Sequence, residues 1–483
     1  MSANKKVINN LIWRFSERIL AQLVTFIVSI VLARLIAPEE YGAIAMVTVF
    51  ITFANVFVTG GFGNALIQKK DADNVDFSSV FYFNIAFSTL LYCILYVSAP
   101  SIARFYNIDI LSPVIRVMGL RVIVGGINSV QHAYVSRNML FKRFFISTLF
   151  GTIMSGIAGI WMAYSGLGIW ALVGQYLINT ITDTIVLWFT VRWRPQLVFS
   201  WKKMKEMFSY GWKLLCSSLL DTGYSQMKNL IIAKIYTPTD LAFYERGEQY
   251  PNILVTNINT SIGSVLFPVM AKQQDDKNAI KNMTRNAIKI SSYIMWPMMM
   301  GLAVVAKPLV TIMLTEKWIP CVIFLQIACF TYAFWPIHTA NLQAIKAVGR
   351  SDIFLKLEIA KKTIGIAILI VSVRYGMLAI ALSAVITTIL SSFINAYPNR
   401  SLLGYKYKEQ FSDIIPSMLL SFAMAIIIYP IGGLISNDLL KILLQVVAGI
   451  TVYLLGSKLF KFEVYERAIE IIKKKKNAII PYM

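Results

Sequence analysis

The stretch ILAQLVTFIVSIVLARLI at 19–36 constrains this chain more than any other feature in it. Roughly 20 apolar residues cross a bilayer as one helix, and in lipid only a helix or a closed barrel satisfies its own backbone. Comparable runs recur at 80–99, 366–390 and 417–435. Charged residues make up only 14% of the chain and hydrophobic ones 57%, which excludes an ordinary soluble domain. The pattern predicts an all-α polytopic membrane protein with about 14 transmembrane helices. They fall near 11–36, 41–66, 77–99, 111–136, 144–164, 167–191, 211–236, 240–270, 284–305, 320–346, 354–374, 376–398, 412–434 and 438–459. The opening MSANKKVINN is polar and no small-residue cleavage site follows the first run, so that run is read as a helix and not a signal peptide.

The formal charge of +22 is distributed unevenly. Arg192, Arg194, Lys202, Lys203 and Lys205 follow the sixth predicted helix, and Lys473 to Lys476 lie near the C-terminus, whereas the turns APEEYG, SGLG, TPTD, RYG and SND carry little positive charge. By the positive-inside rule both termini are cytoplasmic. The basic charge then reflects topology and attraction to anionic membrane lipids. RNA binding is a remote alternative, and no nucleic-acid partner is expected. Cys93, Cys216, Cys321 and Cys329 lack metal-ligand spacing and read as packing residues. There is no GxxxxGK[ST] phosphate loop, and the short connections leave no room for a catalytic domain. The chain is therefore not read as an enzyme, and no metal or cofactor is expected.

An internal repeat organises the helices. LARLIAPEEYG at 32–42 matches IAKIYTPTDLA at 232–242, pairing Ala33, Arg34, Pro38 and Glu40 with Ala233, Lys234, Pro238 and Asp240. In the same order, SRNMLFKRF (136–144) resembles GRSDIFLKL (349–357), and GLGIWALV (166–173) resembles GMLAIALS (376–383). Six helices separate equivalent points, an even number, so the copies share one orientation in the membrane and form a parallel repeat. This predicts an N-terminal six-helix lobe at 1–191 and a second at 211–398. The segment 192–210 is an interfacial amphipathic connector, 399–460 holds two further helices, and 461–483 is a basic cytoplasmic tail.

Polar residues trace stripes along some of these helices. In the eighth, Glu245, Gln249, Asn252, Thr256, Asn259 and Gly263 recur at steps of three and four, which is one helical face. The second carries Thr48, Thr52, Asn55, Thr59 and Gly63 in the same manner. Small and amide residues also serve as helix–helix glue in lipid, and for Gly63, Gly263 and the threonines that reading is at least as good as cavity lining. Charges are harder to hide, because one at mid-membrane costs about 2.5–3.5 kcal/mol even on a lenient scale. The charged candidates are Arg14, Glu17, Arg18, Arg121, Asp221, Lys228, Glu245, Arg246 and Glu248. Arg14, Glu17 and Arg18 share a face at the start of the first helix, and alone they fit an interfacial anchor as well as a cavity mouth. The repeat and the eighth-helix stripe favour the cavity. His132 and His338 read as hydrogen-bonded packing residues.

The stretches NLIWRFSERILAQLVTFIVSIVLARLIAPEEYG, GGFGNALIQKKD, KPLVTIMLTEKW and AVGRSDIFLKL resemble the polysaccharide flippases (Wzx-like, of the colanic- and teichuronic-acid exporter type). These belong to the multidrug/oligosaccharidyl-lipid/polysaccharide exporter superfamily. The resemblance implies a two-lobed, V-shaped MATE-like fold and alternating access. It also implies an undecaprenyl-pyrophosphate-linked oligosaccharide as cargo, a precursor of lipopolysaccharide, capsule or exopolysaccharide, and other glycan-assembly proteins as partners. By the same resemblance the cationic substrate site comprises Arg14, Arg18 and Arg246; the buried charges Arg121 and Lys228 complete it. Glu17, Thr52, Asn55, Asp221, Glu245, Gln249, Asn252, Thr256 and Asn259 provide the polar lining. Where relatives carry an acid in the seventh helix, this chain reads QMKNLII with Lys228, which weakens an ion site there. A cation-coupled multidrug antiporter of the same fold and a non-transporting scaffold are the competing readings.

Overall fold

Long apolar runs become long helices, and polar punctuation ends them. The computed structural model describes residues 3–479 apart from Gly61 and Lys70; the side chains of 3–12, 14–18, 64, 210, 213, 264, 471, 472 and 474–479 lie outside the description. Among the described residues there are eighteen α-helices and no strand. They are α1 (Ala3–Leu35), α2 (Pro38–Thr59), α3 (Phe62–Gln68), α4 (Asn74–Tyr106), α5 (Leu111–Arg137), α6 (Phe141–Tyr164), α7 (Ile169–Thr190), α8 (Trp201–Ile235) and α9 (Pro238–Ala271). Then follow α10 (Lys277–Val304), α11 (Ala306–Leu314), α12 (Cys321–Ala333), α13 (Trp335–Ala347), α14 (Ser351–Ser372), α15 (Met377–Leu402), α16 (Tyr407–Ile428), α17 (Asp438–Leu459) and α18 (Glu463–Ile479).

Ten spans are long and apolar enough to cross a membrane, α12 and α13 counting as one. Pro336 has no N–H to donate, which accounts for the break between those two. Four more helices have the length: α1 with 33 residues, α7 with 22, α8 with 35 and α14 with 22. Polar residues dilute their apolar character, including Asn179 and Asp183 in α7, Asp221 and Lys228 in α8, and Lys361 and Lys362 in α14. Counted together, these elements are compatible with the fourteen expected helices. The chain is a multi-pass membrane protein.

The chain divides into two compact units, 1–242 and 243–483. In the first, α8 packs on α2, α3 and α4. The segment expected as a separate connector is divided. Residues 191–200 are not helical, and Ser200 caps α8, which continues unbroken to Ile235. The non-helical part is tied down by Ser78 and Ser79, whose hydroxyls accept from the amides of Gln196 and Ser200 at 2.9 and 3.0 Å. Small residues set the helix spacing. A Cβ on Gly126 would stand 2.3 Å from Ser88 Oγ, and one on Gly42 would stand 1.7 Å from the Pro238 carbonyl oxygen. In the second unit Lys281, Arg285 and Lys289 of α10 bond Glu409 at 2.8 Å, Asp413 at 2.7 Å and Glu463 at 2.6 Å. This ladder ties α10 to α16 and α18.

Candidate functional site

The first unit contains a polar seam where apolar packing would be the default. Arg121, Gly125, Asn128 and His132 follow one another at steps of four, three and four along α5, so they share a face. On α7, Tyr176, Thr180 and Asp183 do the same. The two stripes meet. Arg121 Nε donates to Thr180 Oγ1 at 3.2 Å, and its guanidinium lies 4.9 Å from the Tyr176 ring centroid. Asn128 Nδ2 donates to Asp183 Oδ2 at 2.6 Å, and His132 Nε2 stands 3.0 Å from the same oxygen. The α2 stripe joins from the other side. Asn55 Oδ1 would lie 3.4 Å from a Cβ on Gly125, at van der Waals contact. Thr59, Gly63, Asn128 and His132 line one cavity of about 300 Å³. A Cβ on Gly63 would meet nothing within 4 Å, so Gly63 borders open space and is not a close helix contact.

The second unit carries its stripe on α9. Glu245, Gln249, Thr256 and Asn259 are half-buried and Asn252 is exposed. Thr256 Oγ1 donates to Asn252 Oδ1 at 3.0 Å, which reinforces the face along its length. Gly263 faces Gln343 of α13, whose Nε2 would lie 3.1 Å from an added Cβ. Arg246 is turned into the unit: 6% exposed, it donates to Gln249 Oε1 at 2.7 Å and stacks 5.1 Å from the Trp318 ring centroid. The adjacent Gly247 lets α9 approach α12, since a Cβ there would stand 2.8 Å from the Leu325 nitrogen. Further along, Asn341, Asn399 and Gln410 form an amide chain with bonds of 2.7 and 3.0 Å. His338 Nδ1 lies 3.0 Å from Asn395 Nδ2.

The predicted residues thus divide. Thr52 and Asn55 are half-buried on α2; Asp221 is exposed and Lys228 half-buried on α8. Arg121 and Arg246 each occupy a built, aromatic-backed position. The side chains of Arg14, Glu17 and Arg18 lie outside the described residues. Sequence reading missed the α7 face; it read His132 as a hydrogen-bonded packing residue, and its hydrogen-bond partners are Asn128 and Asp183. The signal was present in the three-and-four spacing of Tyr176, Thr180 and Asp183 and of Asn128 and His132, but neither stripe reveals its partner from one helix alone.

Outside the spans, Asp73 caps α4 and bonds Lys203 of α8. That hydrogen bond, with the Asp76 backbone amide, holds the Asp73 carboxyl down to about 2.

Comparison with known proteins adds to this geometry. The family described as polysaccharide biosynthesis protein matches residues 31–323. The teichuronic acid biosynthesis protein TuaB of Bacillus subtilis (strain 168) is 26% identical over 387 residues, 79% of this chain and 79% of its own. Lipid II flippase MurJ, in an inward closed conformation, aligns with a TM-score of 0.74 at 16% identity, over 96% of this chain and 100% of that one. A multidrug resistance MATE family transporter of the MOP superfamily, inward-facing, gives 0.64 at 15% identity, over 81% and 98%. The fold is therefore the MATE-like helical fold.

Proposed function

Because the chain belongs to the polysaccharide biosynthesis protein family, we propose that it carries a lipid-linked oligosaccharide across the bacterial cytoplasmic membrane by alternating access. The cargo is an undecaprenyl-pyrophosphate glycan, a precursor of lipopolysaccharide, capsule or exopolysaccharide. The observation that carries this reading is the polar seam of α2, α5 and α7, set against two helices, α2 and α5, long and apolar enough to cross a membrane. Amides and hydroxyls suit sugar, and arginine forks suit pyrophosphate. In this reading the lobes are 1–191 and 211–398, and Arg14, Arg18, Arg121, Lys228 and Arg246 attract the headgroup. Both termini face the cytoplasm, other glycan-assembly proteins supply and receive the cargo, and the protein does no covalent chemistry. Deleting the gene in its host tests this: the host should lose the surface glycan and accumulate its lipid-linked precursor. Loss of the glycan without precursor accumulation would point to a scaffold and against transport.

A further inference from the structure

We propose that His132 and Asp183 form a proton-binding site whose occupancy is coupled to movement of the cargo; the coupling half rests on the transport reading above. Asp183 Oδ2 accepts from the Asn128 amide at 2.6 Å and has His132 Nε2 at 3.0 Å. Asn128 Nδ2 also stands 3.1 Å from Nε2; with that amide donating to Asp183, an N–H at Nε2 meets the carboxylate and Nδ1 is the ring position that takes up a proton. The imidazole is reachable. Its side chain is 44% exposed and it lines the cavity of about 300 Å³, whereas the Asp183 side chain is 15% exposed. The pocket is also incompletely satisfied. Asn128 is 6% exposed, yet its Oδ1 has no hydrogen-bond partner. Native interiors leave few such atoms.

The surrounding charges sharpen the assignment. On α5, Arg121 is engaged three turns away by Thr180, and Arg137 donates to the Leu66 carbonyl at 2.8 Å. On α6, Lys142 lies over the Trp13 ring at 5.5 Å, the Phe144 ring is 4.8 Å from the imidazole, and the Ser147 hydroxyl stands near the carboxylate. From α2 and α4 come the neutral groups Asn55, Thr59 and Asn84. Among the described contacts, Asp183 is the one ionised group touching His132. With neutral imidazole the pair holds one net negative charge inside a membrane span. A proton on Nδ1 converts it to a neutral ion pair, a change of charge that the imidazole ring can make without breaking its contact to the carboxylate. The change has an outlet in the fold. Gly125 and Gly126 precede Asn128 in α5, a helix tolerates bending at such a pair, and Gly125 abuts Asn55 of the α2 stripe. Protonation therefore acts on the helix that also borders the polar lining.

Proteoliposomes loaded with lipid-linked oligosaccharide and given a pH gradient of either sign test the proposal. At one-to-one coupling the leaflet ratio of the cargo should move by roughly tenfold per pH unit in the unsubstituted protein. His132→Gln and Asp183→Asn should lose that response: whatever their gradient-free rate, the leaflet ratio of the cargo should no longer follow the pH gradient. An unchanged response in His132→Gln, or a parental response to a sodium gradient alone, would overturn the assignment. A parental protein that flips nothing under any gradient would defeat the transport reading instead. In that event histidine NMR still decides the site. The chain has two histidines, so a His338→Gln variant isolates His132, whose ring signals should change on acidification and change differently in Asp183→Asn; a flat response would refute proton binding.

Discussion

Arg121 shows what a charge must find to stay inside a membrane span. It lies about ten residues into α5, too deep for easy snorkelling even by an arginine at 1.5 Å per residue. It is held by one hydroxyl and one aromatic face. If this guanidinium also grips pyrophosphate, its planar fork matters and not only its charge. Arg121→Lys should then cut transport by roughly ten- to a hundredfold at normal abundance, the range of a charge-assisted hydrogen bond of about 1.5–3 kcal/mol. Arg18→Lys should behave likewise if Arg18 faces the cavity, and should be silent if it only anchors α1. Flipping assays normalised to protein amount check both. Asp73 yields a different outcome. A carboxyl whose folded value is depressed to about 2 contributes stability above its unfolded value near 4, and that contribution is lost as pH falls from about 4 to about 2. Asp73→Asn should flatten the acid limb of a thermal-stability profile over that window; an unchanged limb would remove the Asp73–Lys203 contact from the account. Arg121 was legible in the sequence because depth alone makes a charge conspicuous. Asp183 was not, because its meaning depends on two residues about 51 and 55 positions away.

At the scale of elements, close approaches of glycine are decisive. Gly42 faces the Pro238 backbone, which cannot yield, whereas Gly63 borders open space. Gly42→Ala should therefore lower the midpoint of thermal unfolding in detergent, by overpacking worth about 1–3 kcal/mol. Gly63→Ala should leave it nearly unchanged. Equal midpoints would contradict the helix spacing described above. The sequence distinguishes neither glycine from the other, since both sit in polar or small-residue company and only the neighbouring helix differs. Helix positions were readable because apolar runs have the length of a span. The start of α8 was not. The stretch WKKMKEMFSY at 201–210 has an interfacial composition, but the helix continues through Gly211 into the apolar part. The reading of Arg246 as a cavity-facing cation had to be made from α9 alone, before Trp318 of another segment could be placed beside it.

For the whole molecule, the charge asymmetry gives a topology that labelling can check. Cysteines placed in 192–210 and after Lys473 should resist impermeant reagents applied to intact cells, and labelling of both would reverse the orientation. The helical fold was legible because apolar runs recur along the whole chain, and the solved structures it resembles share that MATE-like fold. Cargo identity was less legible, since amides, hydroxyls and arginines suit many glycans. The central claim is that this protein moves a lipid-linked oligosaccharide. Its most direct test uses purified protein in liposomes carrying the precursor extracted from the deletion host, with a glycosidase added only outside. The account predicts that protein-containing liposomes expose nearly all of the precursor to digestion while protein-free liposomes protect the inner-leaflet half. Persistent protection of that half in the presence of correctly folded protein, with extrusion of a cationic dye instead, would contradict it.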